Sequence, residues 1–488
     1  MPREYTMQRR QFLLASAAAA SMPWAGRLFA APRDSARMLV VFLRGGYDSN
    51  NLLVPHGSDF YYQSRPSLAI ARPDPANPNS AVALNAQWGL NPVVRETLLP
   101  LWERKQVAFV PFAGTDDLSR SHFETQDDIE SGQAGKHRDY RSGFMARLSG
   151  VLSGVPAIAF TDSLPLTFQG GGDLPNVSLR SIGKGGLDAR QAQILSQMYD
   201  STPLAAAARE GLALRQQVTA QLREEMEQAG RGAASARTFA DETRRMATLM
   251  RERYRLGFVD VGGWDTHANQ GSVEGGLANN LRNLGEGLAA YADALGPAWN
   301  DTVVVVISEF GRTFRENGSK GTDHGHGTTY WVLGGGLRGG RIAGEQVAVE
   351  QAQLLQNRDY PVLNNYRSLF GGMLSRLWGL SPAQLERVFP GAKPRDLGLV
   401  RICLVNDRTG EAMCVMSTAG LRRCCGICFK RRLQVASANG DIARRSATRH
   451  ITVALNLQTA RGRKTVPGAG RPAACCAKAR AVRRSDIR

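Results

Sequence analysis

The chain has 488 residues, a formal net charge of +18 and a pI near 10.0, a balance that by itself suggests nucleic acid or a membrane surface. The excess is local: Leu399–Arg488 holds 19 Lys and Arg against 4 Asp and Glu, a net of +15, so residues 1–398 carry about +3 and charge gives no ground for a nucleic-acid partner. All seven cysteines also lie after residue 398, which excludes disulfides from the stability of everything before them.

Residues 1–31 read as an export signal. Arg9 and Arg10 precede Gln11, Phe12, Leu13 and Leu14, an Ala-rich apolar run follows, and small residues close it at Ala30 and Ala31. The arginine pair resembles that of a twin-arginine signal, so the expected partner is the Tat translocase and the expected destination is the periplasm or beyond. The run is too short and too Ala-rich for a stable membrane span.

Residues 32–398 are expected to form the folded domain. RMLVVFLRG (37–45) and KQVAFVPFAG (105–114) read as strands, with short extended pieces at 156–160 and 175–179. Residues 188–254 read as helical with a break at 228–235. LGFVDVGG (256–263) is a strand, and Leu277, Leu281, Leu284, Leu288 and Leu295 share one helix face. TVVVVISEF (302–310) is the clearest buried strand, and YWVLGGGL (330–337) follows. Apolar strands alternating with helices predict an α/β fold, a mainly parallel sheet covered on both faces. Ligand sites in such sheets lie at the carboxyl ends of the strands.

Beyond residue 398 there is no Trp, no Tyr, one Phe and no sustained periodicity. Cys424, Cys425 and Cys428 lack the spacing of a paired zinc site. A basic tail is open on charge, and so is a disordered or out-of-frame end; the abrupt loss of pattern favours the last.

Polar chemistry gathers where the strand rule puts it. Asp265 and His267 follow one strand and Glu309 another, and the Gly-rich GTDHGHGT holds Asp323, His324 and His326, all within about sixty residues. Buried carboxylates and imidazoles in that number call for a divalent cation: zinc, calcium, manganese or magnesium. Asp48 ends the first strand at a glycine turn, where an Asx turn or helix cap is the alternative. After the second strand, Ser121 and Glu124 have capping-box spacing, and a serine at a helix start is also a candidate nucleophile. Arg120 and His122 flank it to hold phosphate or sulfate oxygens. Arg44 and Arg312 are further anion clamps, with an internal ion pair the alternative for Arg312.

These segments carry a resemblance. RGGYDSNN, RSHFETQDDIESG, GGWDTHANQG, SEFGRT, ENGSKGTDHGHGT and VLGGGLRGGR, in that order over about residues 8–391, resemble the Tat-exported family known as domain of unknown function 1501, itself similar to the alkaline phosphatase/sulfatase superfamily. The resemblance implies an alkaline-phosphatase-like α/β/α sandwich with two metal sites. Asp48 is then the implied first-strand ligand and Ser121 stands near the nucleophile position. Asp265 with His267 supplies one metal, Glu309 replaces a second acidic ligand, and His324 or His326 closes the set. Two features depart from that superfamily: Phe310 follows Glu309 where Asp-His is common, and the sulfatase Cys-x-Pro-x-Arg signature is absent, which removes formylglycine chemistry. The implied function is hydrolysis of a phosphate or sulfate ester, or a related bond in a small anionic substrate; the rival is a metal-stabilised exported binding or assembly protein without turnover.

Overall fold

The computed structural model describes residues 35–135, 138–153, 155–172, 174–179, 189–206, 208–209, 211–213, 239–400, 403–405 and 412–414. The signal segment, the expected helix break at 228–235 and Cys424, Cys425 and Cys428 lie outside the described residues. One compact unit spans Ala31–Arg401, and a second comprises Met1–Ala30 with Ile402–Arg488.

In chain order the strands of the larger unit are β1 (Arg37–Leu43), β2 (Leu53–Val54), β3 (Val82–Ala83), β4 (Gly89–Leu90), β5 (Val107–Gly114), β6 (Ala157–Ala159), β7 (Leu256–Val261), β8 (Thr302–Ser308), β9 (Thr328–Leu333), β10 (Arg341–Ile342) and β11 (Asn364–Asn365). Eight of them form one sheet in the order β10-β5-β9-β8-β1-β7-β6, with β11 also on β5. Every pairing is parallel except the two made by β9, which runs antiparallel between β5 and β8. The expected α/β architecture with a mainly parallel sheet is therefore present. The short β2, β3 and β4 make a separate antiparallel sheet that no strong periodicity announced.

The strands alternate at period two, and each face has its own core. Leu39, Val41 and Leu43 of β1 and Val304 and Val306 of β8 pack with Leu98, Met246, Leu277, Leu281 and Leu288. Those partners come from the helices Arg95–Glu103, Phe239–Glu252 and Gly276–Leu295. Met38, Val40 and Phe42, with Val303, Val305 and Ile307, face the opposite way, against Ile129, Phe144, Leu148, Phe370, Leu374 and Leu385. Those belong to the helices His122–Ser131, Phe144–Val151, Tyr366–Trp378 and Pro382–Val388. Because both faces are covered, β1 and β8 read as unbroken apolar runs.

Three expectations need adjustment. The extended piece at 175–179 contributes only a single bridge, Asn176 to Ala159. Ser121 occupies the N-cap of its helix with extended backbone, but its side chain makes no capping bond; the capping box forms instead at Ser381 and Gln384. The domain also runs past 398, since Leu399 and Val400 are buried, Arg338 N–H donates to the Leu399 carbonyl, and Val400 bridges to Leu337.

In the second unit the described residues are two strands, β12 (Cys403–Val405) and β13 (Ala412–Cys414), paired antiparallel with Cys403 opposite Cys414.

Candidate metal centre

Parallel strands bring their carboxyl ends to one edge of the sheet, and the loops after β1, β5, β7 and β8 deliver Gly45, His122, Asp265 and Glu309 there. The loop carrying His324 precedes its strand, and it reaches the same edge because β9 runs the other way. One reversed strand thus turns an amino end into a contributor.

Three imidazoles converge on Asp265. Nε2 of His267 lies 2.9 Å and Nε2 of His324 3.2 Å from Asp265 Oδ1, while Nε2 of His122 lies 3.5 Å from Oδ2. The two Nε2 atoms of His267 and His324 are 3.1 Å apart. Each ring is held by its other nitrogen. Nδ1 of His122 sits 2.8 Å from Glu309 Oε1, Nδ1 of His324 3.0 Å from the Arg120 carbonyl, and Nδ1 of His267 3.2 Å from Asp323 Oδ1. Those three oxygens only accept, so each Nδ1 is the donor and each neutral ring turns a lone pair inward.

Two lone pairs facing each other at 3.1 Å repel unless a cation lies between them, and Nε2 of His122 is buried with no hydrogen-bond partner among the described residues. Ligands about 2.0 Å from a tetrahedral zinc ion stand about 3.3 Å apart; His267 and His324 lie 2.9 and 3.2 Å from Asp265 Oδ1, and His122 lies 3.5 Å from the other carboxylate oxygen. Ligand atoms of His122, Asp265 and His324 all lie within 4.8 Å of one another. The donor set, imidazole with carboxylate and each imidazole braced by an oxygen behind it, suits a borderline divalent cation.

Electrostatics agree. Arg312 is buried beneath Asp265, donates to its Oδ1 at 2.5 Å, and also donates to the carbonyls of Gly45, Gly46, Trp264 and Thr322. Burial alone would raise the Asp265 pKa, but Arg312 and the neighbouring histidines hold it below the usual carboxylate value. The bond to Glu309 raises the His122 pKa, whereas burial lowers that of His324.

Gly45 is where the backbone must come close. Its φ is +122°, its N–H donates to Glu309 at 2.8 Å, and a Cβ there would stand 2.7 Å from the Asp265 backbone nitrogen.

Not every expected residue joins the centre. Asp48 is fully buried, with its oxygens taken by Arg65 at 2.5 and 3.1 Å and by Gln270 Nε2 at 2.6 Å. Glu309 stands behind His122: Oε1 accepts from His122, Gln126 and Gly45, and Oε2 accepts from the Ser308 hydroxyl. Asp323 stands behind His267 in the same way. His326 turns into the protein beside Asp117, where burial pushes its pKa down to about 4. The Arg120 side chain pairs with Asp359 at 2.7 Å and Gln356 at 2.7 Å, so its carbonyl, not its guanidinium, serves the site. Arg44 bridges Glu130 at 2.8 Å and Asp260 at 2.7 Å. Ser121 adjoins His122 at the helix start, half-buried.

Two contributors went unnoticed in the sequence. Gln126 links Arg44 to Glu309, accepting at 2.8 Å and donating at 2.9 Å, and Asn317 donates to Asp323 at 3.1 Å. The only signal for Gln126 was its place one turn after His122, on the same helix face.

Three of the solved structures that the chain is similar to are these. One is a protein in the alkaline phosphatase superfamily from Vibrio parahaemolyticus, at 12% identity over 82% of this chain and 83% of that one, TM-score 0.32. Another is the lipoteichoic acid synthase LtaP from Listeria monocytogenes, at 9% identity over 77% and 78%, TM-score 0.31. The third is a mutant of TAB5 alkaline phosphatase with magnesium bound, at 12% identity over 62% and 91%, TM-score 0.27. No curated protein matches. The family model described as "Protein of unknown function (DUF1501)" matches residues 35–389, and the chain belongs to that family.

Proposed function

We propose that the chain is an exported, metal-dependent hydrolase acting on a phosphate or sulfate ester or a related anionic bond. The observation that carries it is the convergence of three Nε2 atoms on Asp265, each ring braced from behind by an oxygen. His122, Asp265 and His324 would hold the ion, with His267 beside them. A divalent cation so bound lowers the pKa of its water toward neutrality and polarises an ester oxygen.

The chain's own groups divide the remaining work. Glu309 and the Arg120 carbonyl fix the tautomers of His122 and His324. Arg312 holds Asp265 ionised. Asp265 and His267 each leave 45% of the side chain exposed, which gives a substrate its approach. Ser121 keeps its hydroxyl free of the helix end and adjoins His122, the position from which a nucleophile would act.

The test is turnover of chromogenic phosphate and sulfate monoesters by the purified full chain, before and after chelation. Turnover that chelation abolishes and zinc or manganese restores supports the proposal. Bound metal without turnover of any ester would instead make this a metal-stabilised binding or assembly protein.

Export through the Tat translocase is part of the same proposal, resting on Arg9 and Arg10. Among the described residues no helix is long and apolar enough to cross a membrane. Changing both arginines to lysine in a reporter fusion is expected to retain the protein inside the cell, and undiminished export would rule the Tat route out.

A further inference from the structure

A groove of about 470 Å³ opens beside the metal centre, within the range of small-molecule sites. The two share a wall. Asn317 lines the groove, and its Nδ2 donates to the His267 carbonyl at 2.9 Å and to Asp323 Oδ1 at 3.1 Å, so the side chain that bounds the groove also steadies the support of His267.

The lining decides what fits. Phe60 is already stacked on Phe314, with centroids 5.0 Å apart at 7°, and the Arg315 guanidinium lies 5.2 Å over its ring. That aromatic is taken up by the protein and does not offer a base an open platform. The two charged groups are tied down as well: Arg315 donates to the Asn357 carbonyl at 2.6 Å, and Glu316 accepts from the Ser67 and Leu68 amides at 3.0 and 2.9 Å. What remains is neutral and two-sided in hydrogen bonding: the amides of Gln63 and Gln351, and Ser64, whose buried hydroxyl has no partner among the described residues. Groups that donate and accept from one side chain match a ligand whose hydroxyls do the same.

We propose that this groove is a saccharide subsite, and that the substrate class is a sugar bearing the phosphate or sulfate ester. The ester anion belongs at the metal, and the neutral hydroxyl-rich ring occupies the groove. The substrate class rests on the hydrolase reading; binding of a sugar ring in the groove does not.

Gly318 permits a clean test. It lines the groove, its φ is outside the left-handed region, and a Cβ built on it meets nothing within 4 Å, so Gly318→Trp adds bulk at the groove with no clash at its Cβ. Saturation-transfer NMR with a panel of neutral mono- and disaccharides is run on the full chain, both chelated and zinc-loaded. Saccharide signals are expected in both forms of the wild type, and about tenfold weaker binding in Gly318→Trp, with melting temperature and metal content unchanged. For glucose 6-phosphate and glucose 6-sulfate the variant should raise KM about tenfold, while kcat/KM for p-nitrophenyl esters stays within about twofold. No saccharide signal in either form, or equal binding by the variant, overturns the subsite. Failure of the hydrolase reading is a different result, no turnover of any ester, and leaves the saccharide signal unaffected.

Discussion

Replacing His122 by alanine is expected to weaken zinc binding by well over about 100-fold, and Glu309→Gln by about 10–100-fold. The order follows from position. His122 would offer its Nε2 to the ion, whereas Glu309 acts one bond behind it, holding Nδ1 as the donor at 2.8 Å. Competition by protons has a matching sign. Only the unprotonated ring binds metal, and Glu309 raises the His122 pKa, so zinc affinity falls with acidification starting above the ordinary imidazole value. Glu309→Gln removes the charge that raises that pKa, and the midpoint of the pH dependence shifts downward. Isothermal titration with zinc across pH 5–8 reads both effects. Equal losses in the two variants, or an unshifted midpoint, would mean that Glu309 does not act through His122.

The second large effect is on stability. Arg65 and Asp48 form an ion pair with no solvent exposure on either side chain. Arg65→Met leaves the Asp48 carboxylate buried and unpaired, with Gln270 and the Asn50 amide as its remaining partners among the described residues, and should cost about 3–5 kcal/mol. Replacing both residues by apolar ones should recover most of the loss, because the uncompensated charge is then gone. Denaturant unfolding measures the three variants, and metal content should stay at the wild-type level in each that folds. Loss of the ion in the double variant, with the fold intact, would return Asp48 to the metal centre, as the family resemblance implies.

Much of this architecture was legible because the strands are buried on both faces. Continuous runs such as TVVVVIS announce a covered sheet, and the rule that sites gather at carboxyl ends places Asp265, His122 and Glu309. What the sequence could not show is direction and depth. β9 is antiparallel, and nothing in TTYWVL distinguishes that from parallel, so the route by which His324 reaches the edge was open. Asp48 and Asp265 both follow a glycine-rich strand end, yet one faces Arg65 and is fully buried while the other keeps 45% of its side chain exposed. The difference lies in residues 17 and 47 positions away, Arg65 and Arg312, beyond any local pattern. His324 and His326 are separated by a single glycine and end in opposite environments, the first at the open cluster and the second against Asp117 with its pKa near 4. His324 is held in a single bridge to Arg312 and the chain bends at His326, and the i, i+2 spacing did not say which histidine faces out. Gln126 and Asn317 carry no signature of their own, since amides brace ligands only by virtue of where the fold puts them.

The central claim is that His122, His324 and Asp265 bind one divalent cation. The most direct measurement is elemental analysis of wild-type full chain purified without chelator, alongside a His122→Ala, His324→Ala double variant. The account predicts about one equivalent of zinc or a similar divalent metal in the wild type, none in the variant, and a melting temperature that falls on chelation in the wild type alone. A metal-free wild type whose melting temperature ignores added zinc, manganese, calcium and magnesium would contradict it, and would leave the cluster as a hydrogen-bonded polar edge of the sheet.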